Sequence, residues 1–112
     1  MTSRDGAQTY SMTRSLNEAL GLESLLVHFE TLEPGKSGSR PHSHSTKDEI
    51  FIITRGSGTA WVNGEPVLLT KGDAIAFKGA DGEAHVLTNT GSEPMEYTII
   101  ASNPDDDVVT FA

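Results

Sequence analysis

Short apolar runs separated by glycine-rich turns recur along the chain from residue 22 onward. Most runs are too short for a helix, and several alternate apolar with polar positions, which is the period of a β-strand. Asn63-Gly64 is the strongest hairpin signal, because both residue types accept a positive φ. Many short strands without a long helix predict an all-β sandwich or barrel. The predicted strands cover 25–32, 42–44, 50–54, 59–62, 65–70, 74–77, 85–89 and 95–102.

The first predicted strand, 25–32, has two distinct faces. Leu25, Val27 and Phe29 share one face, while His28 and Glu30 lie on the other. We expect the face with His28 and Glu30 to be the polar one. His28 is therefore predicted to be a surface or subunit-contact histidine and not a metal ligand.

At 112 residues the chain is expected to form one domain with a single core. Residues 1–21 are predicted to be a polar, partly flexible arm, in which Ser15 to Glu18 has the spacing of a capping box for one helical turn ending near Gly21. Residues 22–103 form the predicted barrel. Residues 104–112 are an acidic tail whose apolar end, 108–111, could pair as a strand, and we expect the acidic run 105–107 to be solvated.

Composition and charge exclude several classes of function. The net charge of −8, with scattered basic residues, argues against binding nucleic acid. No apolar run is long enough to span a membrane or to form a secretory signal, so we expect a cytoplasmic protein that does not contact membranes. Because the chain has no cysteine, a metal ion would have to be held by nitrogen and oxygen atoms.

The candidate chemistry lies around a His-x-His pair. Side chains alternate in an extended strand, so His42 and His44 point to the same side and could chelate one ion. A third donor must come from elsewhere in the chain. The acidic pair Asp48-Glu49 opens the next apolar strand, which could run beside the first one.

Two segments resemble the two sequence motifs of the cupin family. The first segment reads His42-x-His44, four residues, Glu49, six residues and Gly56. This count selects Glu49 over Asp48, because a motif that used Asp48 would not end on glycine.

The second motif is matched by Gly72-Asp73, by His85 and, three residues on, by Asn89. It departs from the family pattern at Lys78, where proline is usual, and in a longer turn before His85. Because these departures fall in a loop, they bear on the shape of a pocket more than on the fold. The resemblance covers residues 25–102.

The resemblance implies a double-stranded β-helix, the jelly-roll barrel of the cupin family. It also implies one metal ion held by His42, His44, Glu49 and His85. Three imidazoles and one carboxylate suit a divalent transition metal such as Fe, Mn, Ni or Zn. Four protein ligands leave two positions of an octahedral ion open for water, substrate or dioxygen.

Four further residues are candidates for a substrate pocket. Phe51 and Phe77 could line an apolar pocket mouth, although both could equally be core residues. Lys78 could meet an anionic substrate at the rim, or it could be an ordinary solvated lysine. Asn89 could hydrogen-bond near the site or lead the turn that follows it. The sequence assigns no catalytic residue.

These features lead us to expect a metal-dependent enzyme, a dioxygenase or an isomerase or lyase, that acts on a small polar or anionic organic molecule. Two alternatives stay open. One is a non-catalytic barrel that binds or senses a small molecule, and the other is a storage or structural barrel whose metal only stabilises the fold. The resemblance to small cupins also implies a homodimer, in which two copies pair their sheets or exchange terminal strands.

Overall fold

A computed structural model of the chain describes residues 12–112, which form an all-β architecture with a single short helix. The all-β prediction is confirmed. None of the helices in this part of the chain is long and apolar enough to cross a membrane. The elements are β1 (Met12–Ser15), α1 (Asn17–Leu20), β2 (Leu25–Leu32), β3 (His42–His44), β4 (Glu49–Arg55), β5 (Ser57–Val62), β6 (Glu65–Thr70), β7 (Ala74–Phe77), β8 (His85–Thr88), β9 (Met95–Ser102) and β10 (Val109–Phe111).

The strands form two antiparallel sheets of five strands each. The first sheet has the order β1-β2-β9-β4-β7, and the second has the order β10-β3-β8-β5-β6. The chain passes repeatedly between the sheets, so that consecutive strands such as β3 and β4 lie in different sheets. The segment that joins β3 to β4 therefore links the two layers.

One hydrophobic core fills the space between the sheets. Strand β9 lies between β2 and β4 and turns Met95, Tyr97, Ile99 and Ala101 inward, at every second position. Residues of the second sheet, such as Leu87 of β8, close the core from the other side. The alternation along β9 is that of a strand with one buried face.

The predicted orientation of β2 is wrong. Leu25 is 46% exposed and Phe29 43% exposed, whereas Glu30 is 1% and Leu32 0% exposed. The inward face therefore carries Glu30 and Leu32. The hydroxyl group of Thr13, on the neighbouring strand β1, donates a hydrogen bond to the Glu30 carboxylate and offsets part of the cost of burying it.

The predicted N-terminal arm, 1–21, contains more structure than expected where the model describes it. Strand β1 pairs with β2, and the helical turn ends at Gly21 with a φ of +67°, as expected. The capping box is wrong: Leu16 is the N-cap and makes no side-chain cap. Instead, the Asn17 side chain accepts a hydrogen bond from Val27 N–H and holds the turn against β2. Residues 1–11 of the predicted arm lie outside the described residues.

The C-terminal end of the chain lies along the strand that carries the His-x-His pair. Strand β10 pairs antiparallel with β3, and Val109 is opposite His44 while Phe111 is opposite His42. Strand β10 is the edge of its sheet. The pairing places the acidic run 105–107 immediately beside the β3–β4 connection.

Candidate metal centre

Three strands from both sheets bring four candidate ligands together. His42 and His44 lie on β3, His85 begins β8 directly opposite His42, and Glu49 begins β4 in the other sheet. One donor atom from each residue lies within 4.8 Å of the others. The structure therefore brings the four predicted metal-site residues into one cluster that can hold a metal ion.

The Glu49 carboxylate lies between the imidazoles. Its Oε1 atom is 3.0 Å from His85 Nε2 and 3.1 Å from His44 Nε2. The side chains of Glu49, His44 and His85 are only 10%, 8% and 3% exposed, so bulk water screens these contacts weakly.

The outer nitrogen of each imidazole faces an oxygen atom of the protein. His42 Nδ1 donates to the carbonyl oxygen of Arg40 at 2.8 Å, and His44 Nδ1 donates to Asp107 Oδ2 at 2.7 Å. His85 Nδ1 lies 3.3 Å from the carbonyl oxygen of Glu83. Such bonds keep the proton on Nδ1 and leave the lone pair of Nε2 for a metal ion.

The electrostatics of the cluster favour an ionised carboxylate. Burial alone would raise the pKa of Glu49, but the imidazoles of His44 and His85, when their Nε2 atoms carry protons, outweigh it and lower this pKa far below its usual value. The carboxylates of Glu49 and Asp107 raise the pKa of His44, whereas burial lowers the pKa of His42.

A cation fits this arrangement. His44 Nε2 is buried and makes no hydrogen bond, although it faces the Glu49 carboxylate. When Nδ1 carries the proton, Nε2 presents a lone pair to a negatively charged oxygen, and these two groups repel each other. A divalent ion between them would remove the repulsion, and three imidazoles with one carboxylate are ligands that first-row transition metals accept.

The other predicted pocket residues lie in different surroundings. A cavity of about 30 Å³, room for roughly one water molecule, adjoins the cluster and is lined by Phe51. Phe77 instead stacks on His85, with ring centroids 3.9 Å apart and an interplanar angle of 4°, and so supports this histidine from behind. Lys78 is exposed and does not line the cavity.

Asn89 belongs to a turn and does not line this cavity. It is fully buried, and its amide group donates to the carbonyl oxygens of Leu32 and Glu93 while its oxygen accepts from Gly91 N–H. Through these three hydrogen bonds the Asn89 side chain holds the β8–β9 turn against the end of β2.

The sequence prediction missed Asp107. We expected the acidic run to be solvated, but the Asp107 side chain is only 10% exposed and bonds to His44. Burial would raise the pKa of Asp107, but the N–H groups of Thr46 and Lys47 and the imidazole of His44 lower it far below its usual value. No local pattern distinguishes Asp107 from the two aspartates before it.

The β3–β4 connection is also held from the opposite side. Gly79 N–H donates to Asp48 Oδ1 at 2.8 Å, and Ala80 N–H donates to the carbonyl oxygen of His44 at 3.1 Å. A Cβ atom on Gly79 would lie 2.6 Å from the carbonyl oxygen of Thr46. The position therefore requires glycine, because the loop before β8 packs directly on the backbone between His44 and Glu49.

Comparison with known families decides where the chain belongs. The family model described as "Cupin domain" matches residues 28–101, the region that contains all four candidate ligands. The chain belongs to the cupin family. The predicted double-stranded β-helix fold is thereby confirmed, and the two antiparallel sheets agree with it.

Solved cupin structures are similar over most of the chain. A candidate sugar phosphate isomerase from Acidithiobacillus ferrooxidans is 29% identical, with a TM-score of 0.84, over 90% of this cupin and 64% of that chain. A sugar phosphate isomerase of the cupin superfamily from Silicibacter pomeroyi is 22% identical, with a TM-score of 0.90, over 100% of this cupin and 71% of that chain. A salicylate 1,2-dioxygenase from Pseudaminobacter salicylatoxidans is 22% identical, with a TM-score of 0.77, over 91% of this cupin and 32% of that chain.

Among curated proteins, auxin-binding protein 1 of Arabidopsis thaliana is 28% identical over 91 residues, which are 75% of this cupin and 45% of the plant protein. An uncharacterised protein of Aquifex aeolicus is 29% identical over 103 residues, covering 91% of this cupin and 78% of that protein. The cupin thus spans less than half the length of the plant relative.

Proposed function

We propose that this cupin is a metal-dependent enzyme that acts on a small polar or anionic organic molecule. The observation that supports this proposal best is the convergence of three imidazoles on one buried carboxylate, with Nδ1 of His42 and of His44 bonded to oxygen atoms outside the cluster. A divalent ion held by His42, His44, Glu49 and His85 would supply Lewis-acid polarisation of a substrate oxygen.

The residues around the cluster suit an anionic substrate. The Arg40 guanidinium carbon lies 4.3 Å from the centroid of the Phe111 ring, and that centroid is 6.1 Å from the centroid of the His42 ring. Arg40 therefore provides a positive charge beside the cluster that could meet an anionic substrate. The sequence analysis named Lys78 as a candidate for this role. Since the inner cavity has room for about one water molecule, we place the body of the substrate outside it, towards Arg40.

We favour isomerisation of a phosphorylated sugar over dioxygenation. The supporting comparison is the candidate sugar phosphate isomerase, which is 29% identical over most of the chain. The dioxygenase is 22% identical and supports a common fold alone.

The test is to incubate protein loaded with Mn²⁺, Ni²⁺, Zn²⁺ or Fe²⁺ with a panel of aldose and ketose phosphates and to follow interconversion by NMR. Oxygen uptake with salicylate is measured in parallel. We expect conversion of at least one sugar phosphate that Arg40→Ala weakens mainly through KM, because Arg40 is proposed to bind the anion. Oxygen uptake without sugar interconversion would contradict the isomerase proposal.

A second candidate function is binding without turnover. The small cavity and the low exposure of the ligands count against turnover at an ion, since both limit the access of an organic molecule to it. The name of the plant relative, auxin-binding protein 1, also describes a binding protein. Retention of an unmodified carboxylate or phosphate compound, with no turnover in the two assays, would support binding over catalysis.

We also propose a homodimer that forms through the outer surface of the first sheet. This surface, here called the outer face, consists of Val27, Phe29, Ile50, Ile52 and Ile100, which lie on the neighbouring strands β2, β9 and β4. Two copies that each carry a net charge of −8 repel each other through their charged surfaces. Arg14 of β1 borders the outer face opposite Phe29, but the five residues of this face carry no charge. They allow close approach and burial of apolar area, so a second copy is the partner that we assign to it.

Sedimentation velocity tests the dimer. Ile52→Asp places a charge in the middle of the outer face, and we expect it to raise the dimer dissociation constant about 100-fold or more, because burying an unpaired charge costs several kcal/mol. Leu68→Asp, at a leucine that is 79% exposed on β6 of the second sheet, should leave the dimer intact. A wild type that sediments as a monomer at micromolar concentration, or dissociation caused by Leu68→Asp alone, would remove this proposal.

A further inference from the structure

The C-terminal segment 106–112 follows the metal-site strand closely. Besides the pairing of β10 with β3, Ser45 N–H donates to the carbonyl oxygen of Val108 at 3.0 Å, and Val108 N–H donates to Ser45 Oγ at 2.8 Å. Ala112 N–H donates to the carbonyl oxygen of Pro41 at 3.0 Å. Hydrogen bonds at both ends of β3 thus fix this segment beside His42 and His44.

Asp107 is the point at which this segment reaches the candidate metal centre. Its Oδ1 atom accepts the backbone N–H groups of Thr46 and Lys47, both at 3.0 Å, while Oδ2 accepts Nδ1–H of His44 at 2.7 Å. The two oxygens therefore have separate tasks. One oxygen holds the β3–β4 connection, and the other holds an imidazole.

The hydrogen bond from His44 differs from those of the other candidate ligands. The Nδ1 atoms of His42 and His85 face backbone carbonyl oxygens, whereas His44 Nδ1 faces a carboxylate. An ionised carboxylate can only accept hydrogen bonds, so it requires the proton of a neutral His44 to be on Nδ1. It also makes Nε2 a stronger donor to a metal ion.

We propose that Asp107 is a positioning residue of the metal centre, which fixes His44 in the tautomer and orientation that direct the Nε2 lone pair towards Glu49 and His85. The part of this proposal that concerns metal affinity rests on the metal centre proposed above. The part that concerns the tautomer applies to the metal-free protein. The C-terminal segment then has a role in metal binding as well as in the fold.

The metal affinity of an Asp107→Asn variant distinguishes a positioning role of Asp107 from a role in supporting the fold alone. Asparagine has a single side-chain oxygen, and the N–H groups of Thr46 and Lys47 compete for it. With that oxygen on the two N–H groups, the amide NH₂ faces His44 Nδ1 and donates to it, which moves the imidazole proton to Nε2 and blocks the ligand atom. Asp107→Asn should therefore impair metal binding at least as much as Asp107→Ala, although asparagine is nearly isosteric with aspartate.

The experiment compares wild type, Asp107→Ala, Asp107→Asn and the control Asp105→Asn, which makes the same charge change at an exposed neighbour. Affinities for Zn²⁺ and Mn²⁺ are measured by competition with a chromophoric chelator, and stability by thermal unfolding. We expect both Asp107 variants to lose about 10–100-fold in affinity and the control to lose less than about twofold, as exposed charges contribute little. An Asp107→Asn affinity equal to that of the control would overturn the proposal.

The tautomer of His44 is read directly in the metal-free protein by long-range ¹⁵N–¹H NMR of the imidazole. The pH is set above the titration of His44 seen in the same spectra, because the carboxylates of Glu49 and Asp107 raise its pKa. We expect Nδ1–H in the wild type and Nε2–H in Asp107→Asn. A wild type with the proton on Nε2, or a tautomer that is the same in both proteins, would refute the positioning role. Because this reading needs no metal, its outcome is independent of whether the proposed enzyme function is correct.

Discussion

Replacing Glu49 with glutamine is expected to abolish metal retention while leaving the fold intact. The carboxylate is the one negatively charged donor in the cluster, and its pKa is held low, so the wild-type site presents a full charge to a cation. Glutamine keeps the shape but removes that charge. We expect the affinity for Mn²⁺ or Zn²⁺ to fall by more than about 100-fold, beyond the usual effect of losing a residue that only orients a ligand.

Elemental analysis by mass spectrometry and thermal unfolding measure this loss. Saturating metal should raise the melting temperature of the wild type by about 10 °C, which corresponds to about 2.7 kcal/mol at a concentration 100 times Kd. It should not raise that of Glu49→Gln. Without metal the two proteins should differ by only about 1 kcal/mol, because glutamine keeps the size of the side chain and its amide can donate a hydrogen bond to an imidazole Nε2.

Glu65→Gln is the matched control for this change, because Glu65 is an exposed carboxylate at the start of β6. The control should bind metal as the wild type does. A wild type that is purified empty and also refuses added Mn²⁺, Fe²⁺, Ni²⁺ and Zn²⁺ would rule out the metal centre and, with it, the metal-dependent enzyme.

Replacing Gly79 with alanine is expected to damage both stability and metal binding. The new Cβ atom would overlap the backbone of Thr46, with the Cα atom at 2.8 Å and the carbonyl oxygen at 2.6 Å. The backbone between His44 and Glu49 would have to move. We expect a loss of about 2–3 kcal/mol of unfolding free energy, as in other cases of overpacking, and a loss of metal affinity of about 10-fold or more.

Gly82→Ala is the control from the same loop. Gly82 has a φ of +69°, and a Cβ atom there meets nothing within 4 Å. Alanine should cost about 1 kcal/mol through its left-handed backbone conformation alone, with metal affinity unchanged. Isothermal titration with Zn²⁺ and denaturant unfolding provide the two measurements. Equal metal affinities in Gly79→Ala and Gly82→Ala would show that the loop does not position the ligands.

The sequence was sufficient to predict the four members of the cluster. His42 and His44 lie one residue apart on a strand, and alternation alone places both on one side. Glu49 and His85 were identified by matching the spacing of the two cupin motifs. Local periodicity alone could not have shown that these two residues lie near His42 and His44 in the fold. The four residues come together as expected because each lies at the start of, or within, a short strand of fixed direction; that they bind a metal stays a prediction.

Prediction failed where long-range partners decide the outcome. The face of β2 with more apolar residues is the outer one. The inward face packs Leu26 and Leu32 on the core and carries Glu30, which accepts a hydrogen bond from Thr13 of β1. Asp107 lies 63 residues from His44 in sequence, inside a uniform acidic run. Lys78 is exposed and does not line the small cavity, so its role at a rim stays a prediction, while the Arg40 guanidinium lies over the Phe111 ring.

The distribution of the ligands over the chain also has a consequence for when an ion is captured. His42 and His44 are close together even in an unfolded polypeptide. Glu49 reaches them only when the first sheet forms, and His85 only when β8 pairs with β3. A nascent chain can therefore hold an ion on two imidazoles before the cage around it is complete. Because selectivity among divalent metals depends on their availability as well as on the ligands, an ion held at the proposed metal centre would reflect which metals were abundant during folding.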